Sequence, residues 1–247
     1  MPELPEVETV VRGLREVLPG QRVEAVENVD ARVVGKEIVG VRRHGKFIGL
    51  VFGDGLLLVH LGMTGQLTLS EGTGKFTRAR LMLSGGVLRF DDIRKFGRMY
   101  WDTDWPERGP DPLEMSTAEF VERAKGRRAR VKALLLDQRF LRGVGNIYAD
   151  ESLFRAGLHP LAVAARVSRK RLAGLHGALV EVLEEAIRAG GSSISDYVDA
   201  RGERGSFQER HQVYGKAGKA CPRCGAELKR MLVAQRGTTY CGGCQGR

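Results

Sequence analysis

The chain has 247 residues, 42% of them apolar and 28% charged. At about 150 residues per domain this is one large domain or two to three small ones, long enough to bury a substantial core and too apolar for wholesale disorder. Forty Lys and Arg against thirty Asp and Glu leave a net charge of +10, which points to a polyanionic partner. No apolar run approaches the roughly 18–20 residues of a membrane span. The opening MPELPEVE carries three glutamates and no basic stretch, so it does not read as a secretory leader, and a cytoplasmic protein without membrane partners is expected.

In chain order, Val7, Val10, Val11, Leu14, Val17 and Leu18 recur at helical spacing behind Pro5, so the chain begins with a helix that Pro19-Gly20 ends. From Arg22 to about Trp101 the pattern is short β-type runs broken by glycine, the mark of an antiparallel sandwich or barrel. Asp102 to Pro112 is rich in proline and acid and reads as a connector. Helical periodicity then returns over Thr117 to Lys125, capped by Ser116 or Thr117, and over Arg128 to Gln138, Asn146 to Ala156 and Ser168 to Ala189. Gly190-Gly191 stops the last of these. Ser192 to Val213 is polar, contains glycine, and is long enough for a functional loop. No internal repeat appears. The expectation is an α+β multidomain chain: a β-sandwich with a leading helix over residues 1–112, a helical domain over 113–213 and a small hairpin over 214–247.

Basic charge gathers late in the chain. Arg123 to Lys132 holds six cationic residues in ten positions, and Gly215 to Arg247 holds seven against the single acid Glu227. The same tail contains all four cysteines: Cys221 and Cys224, then Cys241 and Cys244, a C-x2-C, x16, C-x2-C spacing that suits one structural zinc ion. Two disulfides are the alternative, which a reducing cytosol disfavours. A closed four-thiolate site leaves no open position for chemistry, so zinc is expected to fold the hairpin and not to catalyse.

Four motifs occur together and in order: MPELPEVE, HLGMTG at His60 to Gly65, GVGNIYADESLF at Gly143 to Phe154, and AQRGTTYCGGC at Ala234 to Cys244. Across essentially its whole length the chain resembles the bacterial formamidopyrimidine-DNA glycosylases. The resemblance implies an N-terminal β-sandwich, a helix–two-turn–helix domain and a zinc finger. It also implies an enzyme that excises oxidised purines from double-stranded DNA and nicks the abasic strand, with duplex carrying oxidised bases or abasic sites as partner, one zinc, and a monomeric state.

Pro2 becomes the N-terminal residue once Met1 is removed, and an α-amine titrating near ~8 is partly unprotonated at neutral pH, unlike a lysine. Such a secondary amine can attack C1′ of a deoxyribose. The resemblance assigns Glu3 a proton-transfer role beside it, Glu6 a supporting one, Lys46 a proton donation in elimination, and Arg236 a grip on phosphate. Attack inside a duplex requires the nucleotide to be extruded, and the resemblance assigns Met63, Arg94 and Phe96 to the vacated space. It places Arg127, Lys132 and Asn146 near DNA phosphate, Asn146 at a helix start whose N–H groups favour anions.

Three features depart from the pattern: Phe76 stands where a DNA-contacting histidine is usual, the wedge loop reads Asp92-Ile93-Arg94-Lys95-Phe96-Gly97, and Val29 to Val41 is short. Two other functions share parts of this evidence. An endonuclease VIII-like enzyme for oxidised pyrimidines uses the same amine, but Leu4 and the full-length Ser192 to Val213 loop favour the purine enzyme. A non-catalytic zinc-dependent binder of damaged DNA leaves Pro2, Glu3 and Lys46 without a joint reason.

Overall fold

The structure is a computed structural model that describes residues 2–246. It divides into two compact units, Met1–Pro106 with Ala186–Gln208, and Glu107–Glu185 with Glu209–Arg247.

The first unit opens with α1 (Leu4–Arg15), with Glu3 as its N-cap and Pro5 in its first turn. Its apolar stripe of Val7, Val10, Val11 and Leu14 is fully buried. The helix stops at Arg15, short of Val17 and Leu18, because the residue before Pro19 is driven from helical geometry. Leu18 still reaches the core.

Eight strands follow: β1 (Val23–Glu27), β2 (Gly40–His44), β3 (Phe47–Phe52), β4 (Gly55–His60), β5 (Gly65–Leu69), β6 (Thr77–Leu83), β7 (Gly86–Asp92) and β8 (Arg98–Asp102). They form two antiparallel four-stranded sheets, ordered β1-β6-β7-β5 and β2-β3-β4-β8. One core joins both sheets to α1, with Ile48, Leu50, Leu57 and Val59 meeting Leu67, Leu81, Leu88 and Phe90. This is the expected sandwich with its leading helix. α1 lies against β2, where Arg43 Nε donates to Glu8 at 2.7 Å and Arg15 Nε to the Val41 carbonyl at 3.2 Å.

Ala186–Gln208 folds into this same unit, with Tyr197 and Ala200 in its core. The polar segment after Gly191 is therefore anchored here.

The second unit contains α2 (Thr117–Lys125), α3 (Val131–Leu136), α4 (Asn146–Arg155), most of α5 (Arg169–Arg188), and the hairpin β9 (Leu228–Val233) with β10 (Arg236–Cys241). Ser116 Oγ accepts from Glu119 N at 3.1 Å and caps α2. α3 is shorter than its periodicity suggested because Arg130 is extended and bridges Val163, and Asp137 leaves helical geometry at the other end. α5 ends where Gly191 N reaches back to the Ala186 carbonyl at 2.8 Å, with Gly190 and Gly191 both at positive φ.

The zinc hairpin is not a separate body. Phe154 of α4 is in one cluster with Val213, Leu228, Cys221 and Cys241, and Gln245 donates to the Leu158 carbonyl at 2.9 Å. Among the described residues no helix is long and apolar enough to cross a membrane.

Candidate active site and nucleic-acid interface

Pro2 and Glu3 are buried at the head of α1. Glu3 sits at the positive end of the helix dipole, which favours a carboxylate. Glu6, one turn on and 1% exposed, accepts from Glu3 N through Oε2 at 2.8 Å and from Ser192 N through Oε1 at 2.8 Å. Tyr197 Oη donates to the Glu6 carbonyl at 3.2 Å. Gly191 is required here: its φ is +81°, and a Cβ would lie 2.9 Å from Glu6 Oε1. Glu6 therefore joins the residues around Pro2 to the base of the Ser192 loop.

Lys46 occupies the two-residue turn between β2 and β3, next to Gly45 at φ +61°. It is half-buried, unlike an ordinary solvated turn lysine.

Met63, Arg94 and Phe96 emerge from two neighbouring loops of the first unit. Met63 is 39% exposed and Phe96 52%, so neither is a core residue. Arg94 is exposed too, its guanidinium 4.7 Å from the centre of the Phe96 ring. Asp92, itself buried, fixes both loops: it accepts from Thr64 Oγ1 in the first loop, and from Arg94 N at 3.2 Å and Gly97 N at 2.7 Å in the second. Burial opposes its charge, but these donors hold the carboxyl below the usual carboxylate range. A side chain at Gly62 would strike the Phe96 carbonyl carbon at 2.6 Å, so the two loops pack backbone to backbone. The altered sequence around Ile93 leaves this scaffold in place.

In the second unit, Asn146 is the first residue of α4 and Gly145 is its cap. Its Nδ2 donates to the Gly237 carbonyl on the hairpin at 2.9 Å. Lys132 corrects the sequence reading. It is 0% exposed, its ammonium 2.6 Å from Asp150 Oδ1 and donating to Thr238 Oγ1 at 2.7 Å. Asp150 Oδ2 also accepts from Thr239 N at 3.0 Å. A fully buried ammonium with these partners is a strut between α3, α4 and β10, and has no surface to offer a phosphate. Burial pushes the Asp150 carboxyl up, to about 6, against the pull of Lys132.

Arg127, five residues earlier, is exposed and accessible. Arg236 is exposed where β10 begins, just after a turn in which Ala234 and Gln235 both hold left-handed backbone (φ +48° and +58°). That geometry is what a tight two-residue hairpin demands.

The four thiols fit one zinc ion: their sulfurs all lie within 4.8 Å of one another, Cys221 and Cys244 at 3.9 Å and Cys224 and Cys241 at 3.5 Å. Zn–S bonds of about 2.3 Å in a tetrahedron place sulfurs at such separations. Arg223, inside the first knuckle, donates to the Phe154 and Arg155 carbonyls at 2.9 and 3.1 Å, which holds the knuckle on the end of α4.

Sequence reasoning missed the residues that position these groups: Thr64, Asp92, Asp150, Glu151, Ser192 and Tyr197. Glu151 accepts from three successive N–H groups, Gln212, Val213 and Tyr214, at 2.8–2.9 Å. Asp150 and Glu151 lay inside the GVGNIYADESLF motif, so the signal was present without a role attached to it.

Three family descriptions match the chain: formamidopyrimidine-DNA glycosylase N-terminal domain over residues 1–99, formamidopyrimidine-DNA glycosylase H2TH domain over 108–198, and zinc finger found in FPG and IleRS over 218–246. It is 47% identical over 265 residues to the formamidopyrimidine-DNA glycosylase of Solibacter usitatus, covering 100% of both chains. To that of Thermus thermophilus it is 44% identical over 266 residues, covering 100% of this chain and 99% of the other. Among solved structures, the MutM (Fpg) protein of Thermus thermophilus superposes with a TM-score of 0.90 at 42% identity, over 99% of this chain and 98% of that one. Lactococcus lactis Fpg in complex with abasic-site DNA gives 0.89 at 34% identity, over 99% and 100%.

Proposed function

Because the chain belongs to the formamidopyrimidine-DNA glycosylase family, we propose that it excises oxidised purines, 8-oxoguanine and formamidopyrimidines, from duplex DNA and then cleaves the abasic strand. The observation that carries this is Pro2 set immediately ahead of a buried glutamate at the positive end of α1. Lactococcus relatives solved with Fapy-dG-containing and abasic DNA support the choice of substrate.

With Met1 removed, the Pro2 nitrogen attacks C1′ of the extruded nucleotide, and the N-glycosidic electron pair leaves with the base. The Glu3 carboxylate takes the N–H proton that the alkylated Pro2 nitrogen sheds and passes it to the sugar ring oxygen as the ring opens, leaving a cationic iminium between proline and C1′. The iminium is an electron sink that acidifies the C2′ proton. Its loss drives β-elimination, breaking C3′–O, and a second proton loss drives δ-elimination, breaking C5′–O. Lys46 handles a proton in the elimination, and Arg236 holds phosphate with its guanidinium fork.

Met63 and Phe96 unstack the helix and fill the gap, and Arg94 hydrogen-bonds the orphaned base. Arg127 and the N–H groups at the start of α4 take phosphate contacts. The four cysteines hold one zinc ion, which folds the hairpin that presents Arg236. The enzyme works as a monomer in the cytoplasm.

The test is single-turnover excision of 8-oxoguanine opposite cytosine set against thymine glycol in the same duplex. The purine lesion is removed faster; faster release of thymine glycol overturns the substrate assignment in favour of an endonuclease VIII-like activity.

A further inference from the structure

Nine large apolar side chains are markedly exposed among the described residues, and four of them (Met63, Phe76, Ile93 and Phe96) belong to one neighbourhood of the first unit. Met63 and Phe96 have a role above; Phe76 and Ile93 do not. Phe76 is 37% exposed and Ile93 47%, and they line one recess together with Thr64, Lys75 and Asp92. The recess is tied to the wedge loops by its backbone. Asp92 N donates to the Phe76 carbonyl at 2.9 Å, and Thr64 Oγ1, which donates to Asp92, also accepts from Arg94 N at 3.1 Å. Phe76 therefore stands on the same scaffold that holds Arg94 and Phe96. Lys75 places its ammonium 5.7 Å from the centre of the Phe76 ring.

Soluble proteins seldom leave contiguous apolar side chains bare without a partner for them. An exposed ring with a cation beside it matches the two faces of a nucleotide, a flat base and a charged phosphate. A purely apolar partner would not use Lys75, and a purely ionic one would not use the ring.

We propose that Phe76, flanked by Ile93, is a stacking platform for a base of the bound DNA next to the extruded nucleotide, with Lys75 on the adjoining phosphate. The proposal rests on the DNA reading above, and it makes Phe76 a further determinant of how tightly unstacked DNA is held. Because stacking reads every base's flat face, the platform adds affinity without adding sequence preference.

The test is equilibrium binding to a duplex carrying a tetrahydrofuran abasic-site analogue opposite cytosine, which needs no covalent step and so fails or succeeds independently of Pro2 chemistry. Phe76→Ala weakens binding about 5-fold or more at an unchanged salt slope, whereas Lys75→Ala lowers the slope by about one. Phe76→Trp keeps the affinity, and its added indole fluorescence is quenched as the duplex binds. Phe76→Ala binding within about 2-fold of wild type with a wild-type melting temperature overturns the proposal. So does a Phe76→Trp indole that ignores the duplex, or that heparin, which has the charge but no bases, quenches equally. Should Phe76→Ala fail to fold, the Phe76→Trp fluorescence decides alone.

Discussion

The Glu6 carboxylate accepts from the backbone N–H of Ser192, 186 positions away in sequence, at 2.8 Å, while its other oxygen takes Glu3 N at the same distance. One buried side chain thus sets the start of α1, where the proposed nucleophile lies, and the root of the Ser192 loop. Glu6→Gln keeps only one acceptor oxygen for two buried donors and costs about 1–3 kcal/mol of stability. Displacement of Pro2 by even ~1 Å lowers single-turnover excision by about 10²-fold. Denaturant unfolding and quenched-flow excision measure the two effects; an unaltered excision rate in a destabilised variant confines Glu6 to folding.

Lys132 and Asp150 form a buried ion pair beneath the hairpin. Removing one partner leaves the other charge stranded, so Lys132→Met costs about 3–5 kcal/mol, whereas Lys132→Met with Asp150→Leu recovers much of it. A folded Lys132 variant keeps the wild-type dependence of DNA affinity on salt. Arg127→Ala, by contrast, lowers that slope by about one and leaves stability within ~0.5 kcal/mol. A shallower slope for the Lys132 variant would restore the surface contact that the structure denies it.

Two titrations in the second unit act in opposite directions with pH. Burial, helped by nearby Lys216, depresses His211 to about 4, so the unfolded chain takes up its proton first. Stability from this group is complete above ~6.5 and is lost as pH falls toward 4, by about 2–3 kcal/mol. Asp150, raised to about 6, gains its proton more readily in the folded state and contributes the reverse change between pH 6 and 4. The variants separate them: His211→Gln is less acid-sensitive than wild type, and Asp150→Asn more so. Urea unfolding at pH 4.5, 5.5 and 7 measures this, and identical pH curves for all three proteins would refute the assignment.

Zinc removal should act through the hairpin alone. On β10, Gly237 and Thr238 accept from Asn146 and Lys132 and Thr239 N donates to Asp150, so loss of the four-thiolate clamp strands those groups as well as releasing Arg236. Chelation or Cys224→Ser is expected to lower the melting temperature by several degrees, remove one zinc per chain and abolish strand cleavage. Retained cleavage by zinc-free protein would separate Arg236 from the reaction.

The elements were legible because local pattern dictates them, whereas the exposed candidates Met63, Arg94, Phe96, Arg127 and Arg236 rest on the family resemblance. The apolar stripe of α1, the Ser116 cap, the Gly190-Gly191 stop and the cysteine spacing each have a short-range physical cause. What sequence hid was long-range. Lys132 lies in a basic run that reads as a solvated face, and nothing local reveals that Asp150, eighteen positions on, takes its charge inward. Ser192 became a partner of Glu6 only through folding of the chain's far end. The Ala234-Gln235 turn carried no glycine or asparagine to announce its left-handed backbone, which the two-residue connection between β9 and β10 imposes. Asp92 stands in the wedge-loop sequence, yet its hold on Thr64, Arg94 and Gly97 depends on two loops meeting.

The most direct test of the Pro2 assignment is borohydride reduction during turnover on duplex containing 8-oxoguanine, followed by peptide mapping of the cross-linked product. The account predicts one reduced adduct per enzyme, located on a peptide beginning at Pro2 and absent from Pro2→Gly and from protein bearing an added residue ahead of Pro2. An adduct mapped to a lysine, or trapping that persists in the N-terminally extended protein, would contradict it.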